Sequence, residues 1–153
     1  MIKISKSLFS INRIKNFVDL KTRKMLYFAM VHSHVVYCIN IYSCANTTCW
    51  NKLRVKQKEA IRIISNAGFR DHTAPLFAQL SIPPLDQLIK LHILKFMHSF
   101  FHKTLPISFH NRWITNRERQ PERILRNADL LFIPQHNFAT IKRMPMCAVV
   151  SRR

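Results

Sequence analysis

The chain has 153 residues, of which 25 are lysine or arginine and only 7 are aspartate or glutamate, so its formal net charge is +18. A surface of this charge favours polyanionic partners, because contacts to phosphates release condensed counterions. Most of the acidic residues are isolated along the chain, which argues against two-metal phosphoryl transfer and glycoside hydrolysis, since both need paired carboxylates. With a single glycine, Gly68, the chain cannot form the glycine-rich loops that bind nucleotide phosphates.

The spacing of prolines separates a helical front from a more irregular back. All seven prolines follow Arg70, so long uninterrupted helices can form before it. We predict an all-α fold, a compact bundle of about four to five helices with an irregular basic C-terminal segment. The predicted domains are 1–104, which is helical, and 105–153, an irregular basic tail with one short helix and one short strand.

Hydrophobic periodicity predicts the first two helices. An amphipathic basic helix is expected over Ile4 to Phe17, where apolar residues recur at three-residue steps: Leu8, Ile11, Ile14 and Phe17. Asp19 can cap a second helix. The broad apolar stripe of that helix, from Leu20 to Ile41, predicts that it is largely buried.

Turn-forming residues mark the later elements. A third helix is predicted to open at Asn46 or Thr47 and to end at Gly68, which suits a left-handed C-terminal cap. Thr73 is predicted to cap a short helix, and Pro84 to lie in the first turn of a long apolar helix at the centre of the core. In the tail we predict a short basic helix over Pro121 to Asn127 and a brief strand over Leu130 to Ile133.

Histidines and cysteines do not have the spacing of a closed zinc site. We therefore predict no metal site, no cysteine nucleophile and no cofactor, and interpret His92, His98 and His102 as a solvated helix face. The amino terminus lacks the continuous apolar stretch of a secretory signal, which favours an intracellular location, nuclear or cytoplasmic. The uncharged stretch from Met25 to Asn51 is interrupted by polar residues, so a buried helix is favoured over a membrane span.

Basic residues form two groups that predict phosphate contacts without base readout. The first group lies in the third helix: Lys52, Arg54, Lys56, Lys58 and Arg62. The second lies in the tail and includes one aromatic ring for stacking: Arg112, Trp113, Arg117, Arg119, Arg123 and Arg126. The alternative is that Trp113 is buried and the charges only keep the chain soluble.

The order of several short motifs resembles a known family. These motifs are Leu26-Tyr27, His32-Ser33-His34, Tyr37, Gln57-Lys58, Ala60-Ile61-Arg62 and His72 to Phe77. Together they resemble the region after the catalytic palm in reverse transcriptases of non-LTR (LINE-type, jockey-like) retrotransposons, and Leu125 to Pro134 resembles that family's tail. The resemblance covers roughly Ile4 to Pro134. It implies a thumb-like helical domain that grips a template–primer duplex beside an RNA-directed DNA polymerase centre.

The chain departs from the family pattern, and this changes the function that the resemblance implies. The chain has no Asp-Asp pair, although the family's catalytic aspartates lie in such a pair in the palm. The resemblance therefore implies a non-catalytic remnant that binds RNA or RNA–DNA duplex, with a palm module in trans as a further partner and no small-molecule substrate. The alternatives are a helical protein-interaction module with a solubilising basic surface, a membrane-associated basic protein, and an open reading frame without a cellular role.

Overall fold

The computed structural model describes residues 2–37, 39–42, 47–109, 114–123, 126, 128–129 and 131–132. Helices dominate these residues and no named strand occurs among them, which confirms the predicted all-α class. The chain divides into two compact units, Met1–Ile89 and Lys90–Arg153. The domain division predicted from the sequence, at 104 and 105, stays a prediction.

The first unit contains most of the helical elements. In chain order these are α1 (Ile2–Ile14), α2 (Leu20–Tyr27), a π-helical turn (Phe28–His32), α3 (Ser33–Val36), α4 (Ile39–Tyr42), α5 (Thr47–Ser65) and α6 (Thr73–Leu80). The next helix, α7 (Leu85–Phe101), begins in the first unit and ends in the second. The second unit continues with a 3₁₀ turn (Ile107–Phe109) and α8 (Asn116–Arg119).

The helix α1 has the predicted amphipathic character with a shorter apolar stripe. Ile4, Leu8 and Ile11 are buried, at the spacing of four and three residues that one face of a helix requires. The prediction for Phe17 is wrong, since the helix ends at Ile14 and the Phe17 side chain is 87% exposed. A turn, in which the Phe17 amide donates to the Ile14 carbonyl over 2.9 Å, carries the ring away from the core.

The cap of α2 is confirmed. The Thr22 amide donates a hydrogen bond of 3.2 Å to Asp19 Oδ1. Hydrogen bonds from Thr22 lower the pKa of the Asp19 carboxyl, so its charged form is retained at the positive end of the helix dipole.

Only a narrow stripe of the α2 to α3 stretch is buried, so the prediction of a largely buried second helix is wrong. Tyr27, Val31 and Val35 have exposed fractions of 2% or less, whereas Leu20 and His34 are exposed. The π-helical turn widens the spiral, and Ser33 donates from its amide to the Phe28 carbonyl, five residues earlier. None of the described helices combines the length and apolar character that crossing a bilayer requires.

The helix at the centre of the core of the first unit is α5, whereas the sequence predicted α7. Along α5 the side chains of Ala60, Ile61 and Ile64 are buried, and the helix packs against α1, α2 and α6. From α7 the core receives Leu85 and Ile89 at the N-terminal end. The wide apolar arc of α7 does not produce uniform burial, because Leu94 is 57% exposed.

Two predicted caps are displaced in the structure. The left-handed residue after α5 is Asn66, with φ 53°, and Gly68 does not have a positive φ. Asparagine tolerates this conformation, so the helix stops before glycine is reached. Likewise His72 occupies the N-cap position of α6, and Thr73 is its first residue and is buried.

A buried glutamine connects three segments of the first unit. Gln57 of α5 is 2% exposed, and its Nε2 donates to the Pro83 carbonyl over 3.1 Å and to Tyr27 Oη over 3.4 Å. Its Oε1 accepts a 2.8 Å hydrogen bond from the Leu85 amide. The side chain therefore satisfies a free amide at the start of α7 and fixes α5 against α2.

The Tyr27 phenol is expected to ionise above the ordinary range of a tyrosine. Burial raises the pKa of its phenol above the ordinary value of 10.0, and the hydrogen bond from Gln57 offsets only part of this effect. The phenol of the unfolded chain then loses its proton first, so the stabilisation contributed by Tyr27 is fully present below pH 10 and is lost as the pH rises through the pKa of the folded state. Absorbance at 295 nm follows tyrosinate formation, with Tyr27→Phe identifying the phase that belongs to Tyr27. Ionisation of Tyr27 at or below pH 10 would contradict this assignment.

Candidate nucleic-acid interface

Five of the predicted phosphate contacts lie on α5, distributed around the part of the helix that its buried stripe leaves. Lys52 and Lys58 are exposed, and Arg54, Lys56 and Arg62 are half-buried. The buried residues of α5 recur at helical spacing, so Lys58 and Arg62, which lie between them in sequence, project away from the buried stripe. The structure therefore leaves Lys52 and Lys58 at the surface and the other three side chains half-buried, and contact of all five with nucleic acid stays a prediction.

Three of the five cations already have partners within the protein. Arg54 Nη2 lies 2.5 Å from Asp86 Oδ1, and Lys56 Nζ lies 2.8 Å from Glu59 Oε2. Arg62 Nε donates to the Asp71 carbonyl oxygen over 3.0 Å. Among the described residues Lys52 and Lys58 form no ion pair, so their ammonium groups remain available to a phosphate.

This difference predicts unequal effects on duplex binding. Replacing Lys52 and Lys58 with glutamine removes two unpaired charges, and we expect affinity to fall by on the order of fiftyfold at 0.1 M salt. The matched variant, Arg54→Gln with Lys56→Gln, removes charges that acids already compensate, so a smaller loss is expected. Fluorescence anisotropy with one labelled duplex measures both variants. Equal losses of affinity would show that the internal ion pairs do not affect duplex binding.

The second group of cations is presented by a closed segment of the second unit, which we call the arginine loop (114–123, 126, 128–129 and 131–132). Its two ends are joined because Phe132 donates from its amide to the Ile114 carbonyl over 2.8 Å. A second bond, from the Arg117 amide to the Ala128 carbonyl, measures 2.9 Å. Thr115 and Leu131 form an isolated antiparallel β-bridge, and the Leu131 side chain is buried.

A capping box starts the short helix of the arginine loop. The Glu118 amide donates to Thr115 Oγ1 over 3.2 Å, and the Thr115 amide donates to Glu118 Oε2 over 2.8 Å. Of the helix predicted over Pro121 to Asn127, residues 121–123 and 126 are described and are not helical, and the others lie outside the described residues. The reciprocal bonds instead begin a helix at Asn116–Arg119. The Thr-x-x-Glu pattern was the sequence signal that would have located it.

The arginines of this loop are exposed and partly ordered by their neighbours. The Arg119 guanidinium carbon lies 3.8 Å from the centre of the Phe132 ring, a stacked position that leaves the N–H edge for an anion. Arg117 Nη2 lies 3.2 Å from Asp129 Oδ1, and both side chains are largely exposed, so water screens this pair. Arg123 and Arg126 are also exposed.

Two predicted contacts, Arg112 and Trp113, lie outside the described residues. Of the brief strand predicted over Leu130 to Ile133, only 131–132 are described, and Leu131 forms an isolated bridge with Thr115. The structure thus places Arg117, Arg119, Arg123 and Arg126 in the arginine loop and the other five cations on α5.

One cation in the first unit was missed by sequence reasoning. Arg23 of α2 is half-buried, and its Nε and Nη1 atoms are shielded from water without a hydrogen-bond partner among the described residues. Unsatisfied guanidinium N–H groups favour an anion as ligand, because burial without a partner is costly. The sequence contains no signal for this, because Arg23 follows Asp19 at ordinary surface-helix spacing.

The described residues contain no cluster of side chains that could hold a catalytic metal. No group of three or more histidine, cysteine or carboxylate side chains converges among them. Burial, and then the charge of Lys95, lowers the pKa of His92, which favours its neutral form and removes it as a phosphate contact near neutral pH. Comparisons with protein-family models, with curated proteins and with solved structures gave no match for this chain.

Proposed function

We propose that this chain is a non-catalytic remnant of a retrotransposon reverse transcriptase that binds the sugar–phosphate backbone of RNA or RNA–DNA duplex without reading sequence. The observation that carries the proposal is the arginine loop, a hydrogen-bonded segment with four exposed arginines. Planar guanidinium groups match phosphate oxygens in pairs, and backbone phosphates are the same in every sequence. The exposed lysines of α5 add contacts of the same kind.

Some of the motif residues lie in the core, whereas Tyr37 is 70% exposed. Tyr27, Gln57, Ala60 and Ile61, which belong to the quoted motifs, are all 2% exposed or less. A fold shared with that family would need core residues of this kind to pack its helices together. The palm of such an enzyme would supply the catalytic aspartates in trans.

Binding to several duplexes of equal length tests the sequence-independent mode. We expect RNA–DNA duplexes of unrelated sequence to bind with dissociation constants that agree within about threefold, since each wrong base in a sequence-specific site costs about 1–3 kcal/mol. Fluorescence anisotropy at fixed salt provides the comparison. A tenfold preference for one sequence, or no binding at micromolar protein, would contradict the proposal.

A second candidate function, protein interaction, is favoured by exposed apolar residues on α7. Leu91, Leu94 and Phe101 have exposed fractions of 44%, 57% and 59%. Exposed apolar groups of this size are typical of contact surfaces, because water leaves them on binding. A stable stoichiometric complex with another protein, together with duplex binding no stronger than that of an unrelated basic protein, would favour this candidate.

A further inference from the structure

Two histidines near the end of α7 lie side by side. His98 and His102 are both exposed, and the centres of their rings are 4.1 Å apart with 40° between the ring planes. The His102 amide donates to the His98 carbonyl over 3.0 Å, so one closed helical turn separates the two residues. This backbone bond fixes both imidazoles on the same side of the helix.

We propose that His98 and His102 form a two-histidine chelate for a divalent transition metal ion of the Ni²⁺, Cu²⁺ or Zn²⁺ class. Histidines four residues apart on one helical face are a recurring metal-binding arrangement, and imidazole nitrogen suits these three ions. The closeness of the rings means that modest side-chain rotations direct one nitrogen of each towards a common point. The remaining coordination positions belong to water, because no third ligand completes the pair among the described residues.

Charged residues next to the histidine pair affect its affinity for a metal ion. Lys95 lies one turn before the pair and Lys103 follows it directly, and both side chains are exposed. Their charges repel a cation, although water screens them. Because the site has two ligands and two neighbouring lysines, we expect a moderate affinity for metal ions. Cu²⁺ should bind more tightly than Ni²⁺, in the usual order of these metals.

Titration of the whole chain with Ni²⁺ tests the chelate through non-additivity. His98→Gln and His102→Gln are each expected to weaken Ni²⁺ binding about tenfold, and the double variant is expected to weaken it little further. Loss of either ligand already destroys the chelate, which is the physical reason for this pattern. His72→Gln, which changes another exposed histidine, is the matched control and should leave the affinity unchanged.

A spectroscopic measurement separates the chelate from a loss of folding. In NMR spectra of the folded wild-type chain, substoichiometric paramagnetic Ni²⁺ should broaden the imidazole signals of His98 and His102 before those of other histidines. Independent additive effects of the two substitutions, or earlier broadening of another histidine, would overturn the proposal. Neither measurement involves nucleic acid, so the outcome is independent of the proposed function.

Discussion

Replacing Arg117, Arg119, Arg123 and Arg126 with glutamine is expected to weaken RNA–DNA duplex binding on the order of a thousandfold at 0.1 M salt. Each arginine that neutralises one phosphate contributes nearly one unit to the dependence of log K on log salt, through counterion release. Four lost contacts therefore also flatten the salt dependence, by about 3.6 units of slope. Anisotropy titrations at several salt concentrations measure both quantities.

The matched control removes the same charge elsewhere. Lys3, Lys6, Arg13 and Lys21 are exposed cations of α1 and α2, and their replacement with glutamine lowers the net charge by the same amount. We expect a clearly smaller loss, because the proposed contacts belong to the arginine loop. If the two quadruple variants lose affinity equally, net charge alone drives binding and the arginine loop is not an interface. Circular dichroism verifies that both variants keep their helices.

Replacing Gln57 with alanine is expected to lower the free energy of unfolding by about 3 kcal/mol. The substitution leaves the buried Leu85 amide and the half-buried Pro83 carbonyl without their hydrogen-bond partner. An unsatisfied buried group costs about 1–3 kcal/mol, and the vacated volume adds to that cost. Urea unfolding followed by circular dichroism measures the difference.

The adjacent residue supplies the control for Gln57. Lys58 is exposed on the same helix, so Lys58→Ala should change the free energy of unfolding by less than about 0.5 kcal/mol. Gln57→Leu retains most of the volume and isolates the hydrogen bonds. If Gln57→Ala and Lys58→Ala have equal effects, the hydrogen bonds of Gln57 do not hold α7 to the core.

The helices could be predicted from the sequence wherever one short-range rule decided the outcome. The Asp19 cap and the buried side chains of Leu8 and Ile11 follow from local spacing, and both are present. Other features depended on competition between rules. Asn66 adopts the left-handed conformation before Gly68 is reached, and the π-helical turn at Phe28–His32 has no simple sequence signature.

The core and the site could be predicted only in part, because they depend on contacts between residues far apart in the sequence. The broad apolar arc of α7 predicted that this helix lies at the centre of the core. Which of two apolar helices is central depends on how each packs against the other helices, and in the structure the central helix is α5. Basic residues were visible in the sequence, whereas the ion pair of Arg54 with Asp86 joins residues 32 positions apart. The stacking of Arg119 on Phe132 is likewise set by the closure of the arginine loop.

The salt dependence of duplex binding is the most direct measurement of phosphate contact by the wild-type chain. With a mixed-sequence RNA–DNA duplex, log K should fall linearly with log salt with a slope of about −4 or steeper, since at least four cations neutralise phosphates. A slope between zero and about −1 would contradict backbone binding, because fewer than two phosphates would then be neutralised.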